Sequence, residues 1–161
     1  MKISIVTTAA LPSLTGTSIN PLLRAAYLSK QHQVELVLPA CVNRDETGSY
    51  KFGDRDAIAA ASFDYLTQSL PRTAWSPKNL TFGFYDAIYK PISKSLYPKQ
   101  DIKSYPFQGD TLILEDPIQL LSLPSMIPDP RQTLGPSLRA RYETVIGINH
   151  TNNFFVLPII F

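Results

Sequence analysis

Three observations predict an α/β domain built on a mainly parallel sheet with flanking helices. Short β-branched or apolar runs recur at Ile3–Val6, Val34–Leu38, Thr111–Leu114 and Thr144–Ile148, and they are continuous rather than alternating. Such runs suit strands covered on both faces. Between the first two lies a helical stretch, so strand, helix and strand follow within about 38 residues, the pattern of a βαβ unit. Polar clusters stand immediately after several of these runs, where open parallel sheets place their ligands.

Each element has its own signal. Residues 7–20 read as a loop of small and hydroxyl-bearing residues, punctuated by Pro12 and Gly16. Asn20-Pro21 is expected to open the first helix, with Asn20 as cap and Pro21 in the first turn. Leu22, Leu23, Ala26 and Tyr27 form its apolar face, and it ends near Lys30. The second strand is expected to stop at Pro39. Asp56 to Leu70 is an alanine-rich helix closed by Pro71. Residues 76–105 read as an irregular stretch in which Lys78, Lys90, Lys94, Lys99 and Lys103 alternate with tyrosines, phenylalanines and prolines. Residues 122–138 are a long proline-rich insert, and 154–161 an apolar tail. No internal repeat is visible.

Composition narrows the function. With 161 residues, 44% hydrophobic and 17% charged, the chain is globular and long enough for one sizeable core. Few charges for a free surface suggest that part of it is covered by another domain or a membrane. A net charge of +2 makes nucleic acid an unpromising partner. One cysteine, Cys41, excludes an internal disulfide framework and a cysteine-rich zinc site. No apolar run reaches the roughly 18 residues of a membrane span. Ile3–Leu14 is too interrupted for a secretory leader, so the Asn-x-Thr triplets at Asn79 and Asn149 carry no glycosylation signal.

Several residues could carry chemistry. Thr15-Gly16-Thr17 lies in the first loop: Gly16 lets backbone approach a ligand, and the following helix offers free amides. The same residues serve equally as a solvated tight turn, and they match neither a Walker loop nor a dinucleotide fingerprint. His150, just past the last strand, can orient a sugar hydroxyl or carry a proton, or serve structure alone. Glu115 and Asp116 end the third predicted strand and are either site carboxylates or caps before Pro117. The lysine and tyrosine stretch is either a membrane-interfacial segment or a solvated loop.

From Ile3 to Leu28 the text ISIVTTAALPSLTGTSINPLLRAAYL closely resembles the opening of plant and algal digalactosyldiacylglycerol synthases. Phe84-Tyr85 through Ser95, Pro98 to Ile102, Ile113-Leu114-Glu115-Asp116-Pro117 and Val145 to Asn152 resemble later family segments in the same order. The resemblance implies the amino-terminal, Rossmann-like half of a retaining GT-B glycosyltransferase that moves galactose from UDP-galactose to monogalactosyldiacylglycerol without a metal or other cofactor. It implies that Thr15, Gly16, Thr17 and Asn20 meet substrate, that Glu115 does so from the strand end, that His150 stands at the donor sugar, and that Thr151 and Asn152 support it. It also implies a peripheral position on the chloroplast outer envelope, with galactolipid and UDP-sugar as partners.

The departures shape the domain reading. Ser13 replaces a family tryptophan, Asn153 a tyrosine, and residues 45–75 and 118–138 diverge. The expected division is 1–153 as the acceptor-side domain and 154–161 as a divergent tail. The donor-binding half is expected to be missing, or carried by a second chain, leaving these residues inactive alone. The alternative is a non-catalytic lipid- or partner-binding module derived from the enzyme.

Overall fold

A computed structural model of the chain describes residues 1–41, 54–90, 95–121, 142, 144–148 and 159–160. It bears out the α/β class with a mainly parallel, Rossmann-like sheet. The elements in chain order are β1 (Lys2–Val6), α1 (Gly16–Ser29), β2 (Gln33–Cys41), α2 (Arg55–Ser69), β3 (Leu80–Lys90), β4 (Ser95–Pro98), a 3-10 turn (Ile102–Ser104), β5 (Thr111–Glu115), α3 (Pro117–Leu121), β6 (Thr144–Ile148) and β7 (Ile159–Ile160). They form one sheet in the order β4-β3-β2-β1-β5-β6-β7. β3, β2, β1, β5 and β6 run parallel, while β4 and β7 are antiparallel edges.

The first helix starts earlier than Asn20. Thr15, in extended conformation, is the cap, and Ser18 Oγ accepts the Thr15 amide hydrogen at 3.1 Å. That is one half of a capping box, made with serine where glutamate or glutamine is usual. Pro21 therefore lies inside α1, where it has no N–H to offer the carbonyl four residues back. That carbonyl belongs to Thr17, and it accepts instead from Thr7 Oγ1 at 2.7 Å. A tertiary hydrogen bond thus fills the gap that proline leaves in the helix. Burial of Ser18, Pro21, Leu22, Ala25, Ala26 and Ser29 marks the face turned to the sheet.

The second strand passes through Pro39 rather than stopping there. The Val37 carbonyl accepts from Thr7 N–H at 3.1 Å, so Val37 turns its peptide groups to the β1 side. Pro39, two residues on, turns the same way, but β1 has ended at Val6. Its missing donor faces a side with no ladder, as at an edge. Pairing on the other side continues to Cys41 against Ala87.

The stretch expected to be irregular contains β3, eleven residues parallel to β2. Its aromatics serve the core. Tyr85 is buried, and Phe82 meets Phe63 of α2 edge-on with ring centroids 4.9 Å apart. α2 is capped by Asp54, whose side chain accepts from the amides of Asp56 and Ala57, and it buries Ile58, Ser62 and Leu66 at intervals of four. Two residues of the apolar tail, Ile159 and Ile160, extend the sheet beside β6; the rest of it lies outside the described residues. The proline-rich insert also lies outside them.

At the amino-terminal ends of the strands a buried carboxylate ties three segments together. Glu35 of β2 accepts from Ser4 Oγ at 2.9 Å, the Gln108 amide at 3.0 Å and the Tyr105 hydroxyl at 3.4 Å. Gly83 leaves room for this cluster: a Cβ there would fall 2.9 Å from Glu35 Oε1. Gly109 donates to Ser4 Oγ at 2.8 Å, and a Cβ there would fall 2.7 Å from the Ile3 carbonyl carbon and 2.9 Å from the Thr111 oxygen. Burial and the neighbouring Glu35 charge push the Tyr105 phenol up to about 12.

Candidate functional site

At the opposite end of the sheet, a cleft of about 190 Å³ opens over the carboxyl ends of β1, β3 and β5. The loop after β1 supplies Thr8, Ser13, Thr15 and Thr17 to its wall. The turn after β5 supplies Asp116, and α3 supplies Gln119. Tyr89 arrives from β3, and Ser95 and Leu96 from β4, which packs against α3. Gln119 Nε2 donates to the Leu96 carbonyl at that meeting point. This is the end at which parallel sheets present loops to ligands.

The loop is held from below. Tyr85 donates its hydroxyl hydrogen to the Thr7 carbonyl at 2.9 Å, and Thr7 passes its own hydroxyl to Thr17. Burial pushes the Tyr85 phenol far up, so it remains a donor throughout the ordinary pH range. Thr15 Oγ1 lies 2.9 Å from Thr17 Oγ1, giving a pair of hydroxyls at the start of α1. The Leu11–Pro12 peptide in this loop is cis.

Asp116 has φ 58, a left-handed conformation that aspartate tolerates better than most residues. Its amide donates to the Ile148 carbonyl at 2.7 Å, and its own carbonyl receives the amides of Gln119 and Leu120. Thr8 Oγ1 donates to its carboxylate at 3.4 Å. Ile148 thus holds its backbone, and Thr8, from the loop after β1, meets its side chain on the cleft wall.

The residues singled out from sequence fall into three groups. Thr15 and Thr17 line the cleft, with Gly16 between them as the first residue of α1. Gly16 needs no special backbone here: a Cβ would meet nothing nearer than Asn20 Nδ2, at 3.6 Å. Asn20 is exposed one turn further on and does not cap the helix. Glu115 is fully buried behind the cleft, where it forms an ion pair with Arg24 of α1. Burial pulls the Arg24 guanidinium below its ordinary value. His150, Thr151 and Asn152 lie outside the described residues.

Sequence reasoning missed Thr8, Tyr89, Ser95, Gln119 and the Arg24 partnership. Tyr89 and Ser95 sat in the stretch read as irregular, and nothing in one dimension joins them to Asp116. A weak signal existed for Arg24, a lone cation bordering the buried face of an apolar helix. Among the described residues, no helix is long and apolar enough to cross a membrane.

Comparison with known proteins extends the resemblance seen in the opening residues to nearly the whole chain. It is 32% identical over 154 residues to the digalactosyldiacylglycerol synthase 2 of Lotus japonicus, covering 93% of this chain and 31% of that protein. The same identity and coverage hold for the synthase 2 of Glycine max. Synthase 1 of Arabidopsis thaliana is 29% identical, over 93% of this chain and 18% of its own length. All three are named chloroplastic. The chain therefore spans less than a third of the curated relatives it matches. No family model matches it. A galactosyltransferase-like origin is the reading these relatives support.

Proposed function

We propose that residues 1–161 form the acceptor-side part of a galactolipid galactosyltransferase, one that moves galactose from UDP-galactose to monogalactosyldiacylglycerol with retention of configuration. The observation that carries this reading is the similarity to digalactosyldiacylglycerol synthases over 93% of the chain, coupled to a hydroxyl-lined cleft at the ligand end of the sheet. Thr15 and Thr17 supply hydroxyls to bound sugar. Gly16 lets it approach the first helical amides, and Asn20 reaches substrate extending past the first turn of α1. Glu115 acts from behind, fixing α1 through Arg24. His150 follows Ile148 by two residues, and the Ile148 carbonyl holds the Asp116 amide. That position supports His150 as the group at the donor sugar, with Thr151 and Asn152 beside it.

Stabilising the leaving nucleotide requires donors aimed at its phosphates. Among the described residues, the cleft wall carries no lysine or arginine for that task. We assign it to a nucleotide-binding domain supplied in the same protein or by a second chain. The working place is the face of a galactolipid bilayer, the chloroplast outer envelope by analogy with the relatives' names.

The test joins residues 1–152 to the remaining carboxyl-terminal part of the Lotus japonicus synthase. The fusion should transfer radiolabelled galactose to monogalactosyldiacylglycerol, while residues 1–161 by themselves yield no digalactosyl product above a heat-killed control. A folded but inactive fusion, beside residues 1–161 that still bind monogalactosyldiacylglycerol vesicles, would establish the non-catalytic lipid-binding module instead.

A further inference from the structure

We infer that the amino-terminal ends of β1, β2 and β3 hold a second site, one that binds a phosphate group still carrying an acid proton, as a free ion or a small monoester. It stands at the opposite end of the sheet from the cleft and does not depend on the galactosyl-transfer reading.

A cavity of about 280 Å³ opens there, with Lys2, Gln33, Glu35, Lys78, Thr81 and Gln108 in its wall. The strand register explains its polarity. Lys2 stands beside Gln33, Ser4 beside Glu35, and Glu35 beside Thr81. Side chains alternate along a strand, so all five project from one face of the sheet. Parallel sheets are ordinarily apolar on both faces, and here three adjacent strands break that rule. Structure accounts for part of the set. Ser4 donates to Glu35, and Thr81 donates to the Val34 carbonyl at 3.3 Å. The side-chain ends of Lys2, Gln33 and Lys78 have no partner among the described residues. Neither lysine pairs with Glu35, nor with Asp110, whose amide donates to the Lys2 carbonyl.

Two lysines without counterions attract an anion, and a cavity partly closed to water strengthens the attraction. Glu35 decides which anion. A carboxylate offers about four acceptor positions. Ser4, the Gln108 amide and the Tyr105 hydroxyl occupy three of them. What remains can take only a hydrogen. A protonated phosphate brings anionic oxygens for the lysines and a hydroxyl for Glu35, and hydrogen bonds of this charge-assisted kind are the stronger ones. Gln33 adds an amide donor. Sulfate has the charge and the shape but no proton to give.

The experiment titrates the full 161-residue chain, labelled with ¹⁵N, with inorganic phosphate, glycerol 3-phosphate and sulfate. It is run at about pH 6, where a phosphomonoester is about half protonated, and at constant ionic strength so that screening does not change. Phosphate should shift the Gln108 and Gly109 amides, which donate to Glu35 and Ser4 beside the cavity, and saturate on the order of 1 mM. Sulfate should bind about tenfold more weakly, the equivalent of one charge-assisted hydrogen bond. Lys2 and Lys78 are both exposed, so Lys2→Met with Lys78→Met should keep a native spectrum while weakening phosphate at least about tenfold. Equal or tighter binding of glycerol 3-phosphate supports an ester as the ligand, and weaker binding supports the free ion. The absence of a saturable shift at these amides up to about 50 mM phosphate overturns the inference. So does equal affinity for sulfate, or undiminished phosphate binding by a natively folded double variant.

Discussion

Thr7 donates its side-chain hydroxyl to the carbonyl of Thr17, 2.7 Å away, and so completes the hydrogen bonding that Pro21 denies the first helix. One proline thereby fastens the start of α1 to the end of β1. If the bond has this origin, Thr7→Val should cost about 1–3 kcal/mol, since it strands a carbonyl where Thr7 is wholly buried. Pro21→Ala restores a helical N–H to the Thr17 carbonyl. In that background Thr7→Val should cost at least about 1 kcal/mol less. Denaturant titration of the four chains of the cycle measures the difference, and strict additivity would refute the link.

Gly16 separates structural from ligand roles without ambiguity. A methyl group there meets ordinary contacts at 3.6 Å, and alanine is the better helix former. Gly16→Ala should raise or preserve the thermal midpoint while weakening binding of methyl β-galactoside several-fold. A drop in stability that parallels the loss of binding would make Gly16 a turn residue only.

The Arg24–Glu115 pair joins α1 to the end of β5 with the carboxylate fully buried. Arg24→Met should destabilise the fold by about 3 kcal/mol, because it removes the guanidinium from an enclosed charge. Partial exposure of Arg24, 31% of its side chain, keeps the cost at the low end of that class. Adding Glu115→Leu should recover most of the loss. Chemical denaturation of the single and double variants decides this.

The phenol of Tyr105 is pushed up to about 12 in the folded chain, against about 10 when unfolded. The folded state therefore holds this proton more tightly. Stability should be level below about pH 10 and should fall as the pH rises from there towards 12. Tyr105→Phe should make that decline shallower, leaving the part that the buried Tyr85 phenol contributes, at the expense of the Tyr105 hydroxyl bond to Glu35. Thermal melts between pH 8 and 11.5 would show it, and an identical alkaline slope in both chains would exclude Tyr105 as its source.

The sheet was legible wherever burial on both faces leaves an unbroken apolar run, as in β1, β5 and β6. β2 was legible to Leu38 and no further, because the reason Pro39 is allowed lies in where another strand ends. β3 was hidden by Lys90, its aromatic residues and Gly83. That glycine weakens the strand pattern in the sequence, yet in the fold it makes space for Tyr105 and Glu35. The hydroxyl loop was recognisable from composition. Tyr89, Ser95 and Gln119 were not, because β3, β4 and α3 bring them to the loop from 70 or more positions away.

The close approach at Gly109 bears on how this chain tolerates change. No side chain fits between that backbone and Ile3, and the same confinement surrounds Ser4, Glu35 and Gly83. A saturation library would show this patch to be as intolerant as any ligand-binding wall, although it lies at the far end of the sheet from the cleft. Its losses would be uniform across every substrate offered, whereas losses at Thr15 or Thr17 would depend on which one was supplied. Substrate-dependence, rather than severity, would therefore mark the residues that touch sugar.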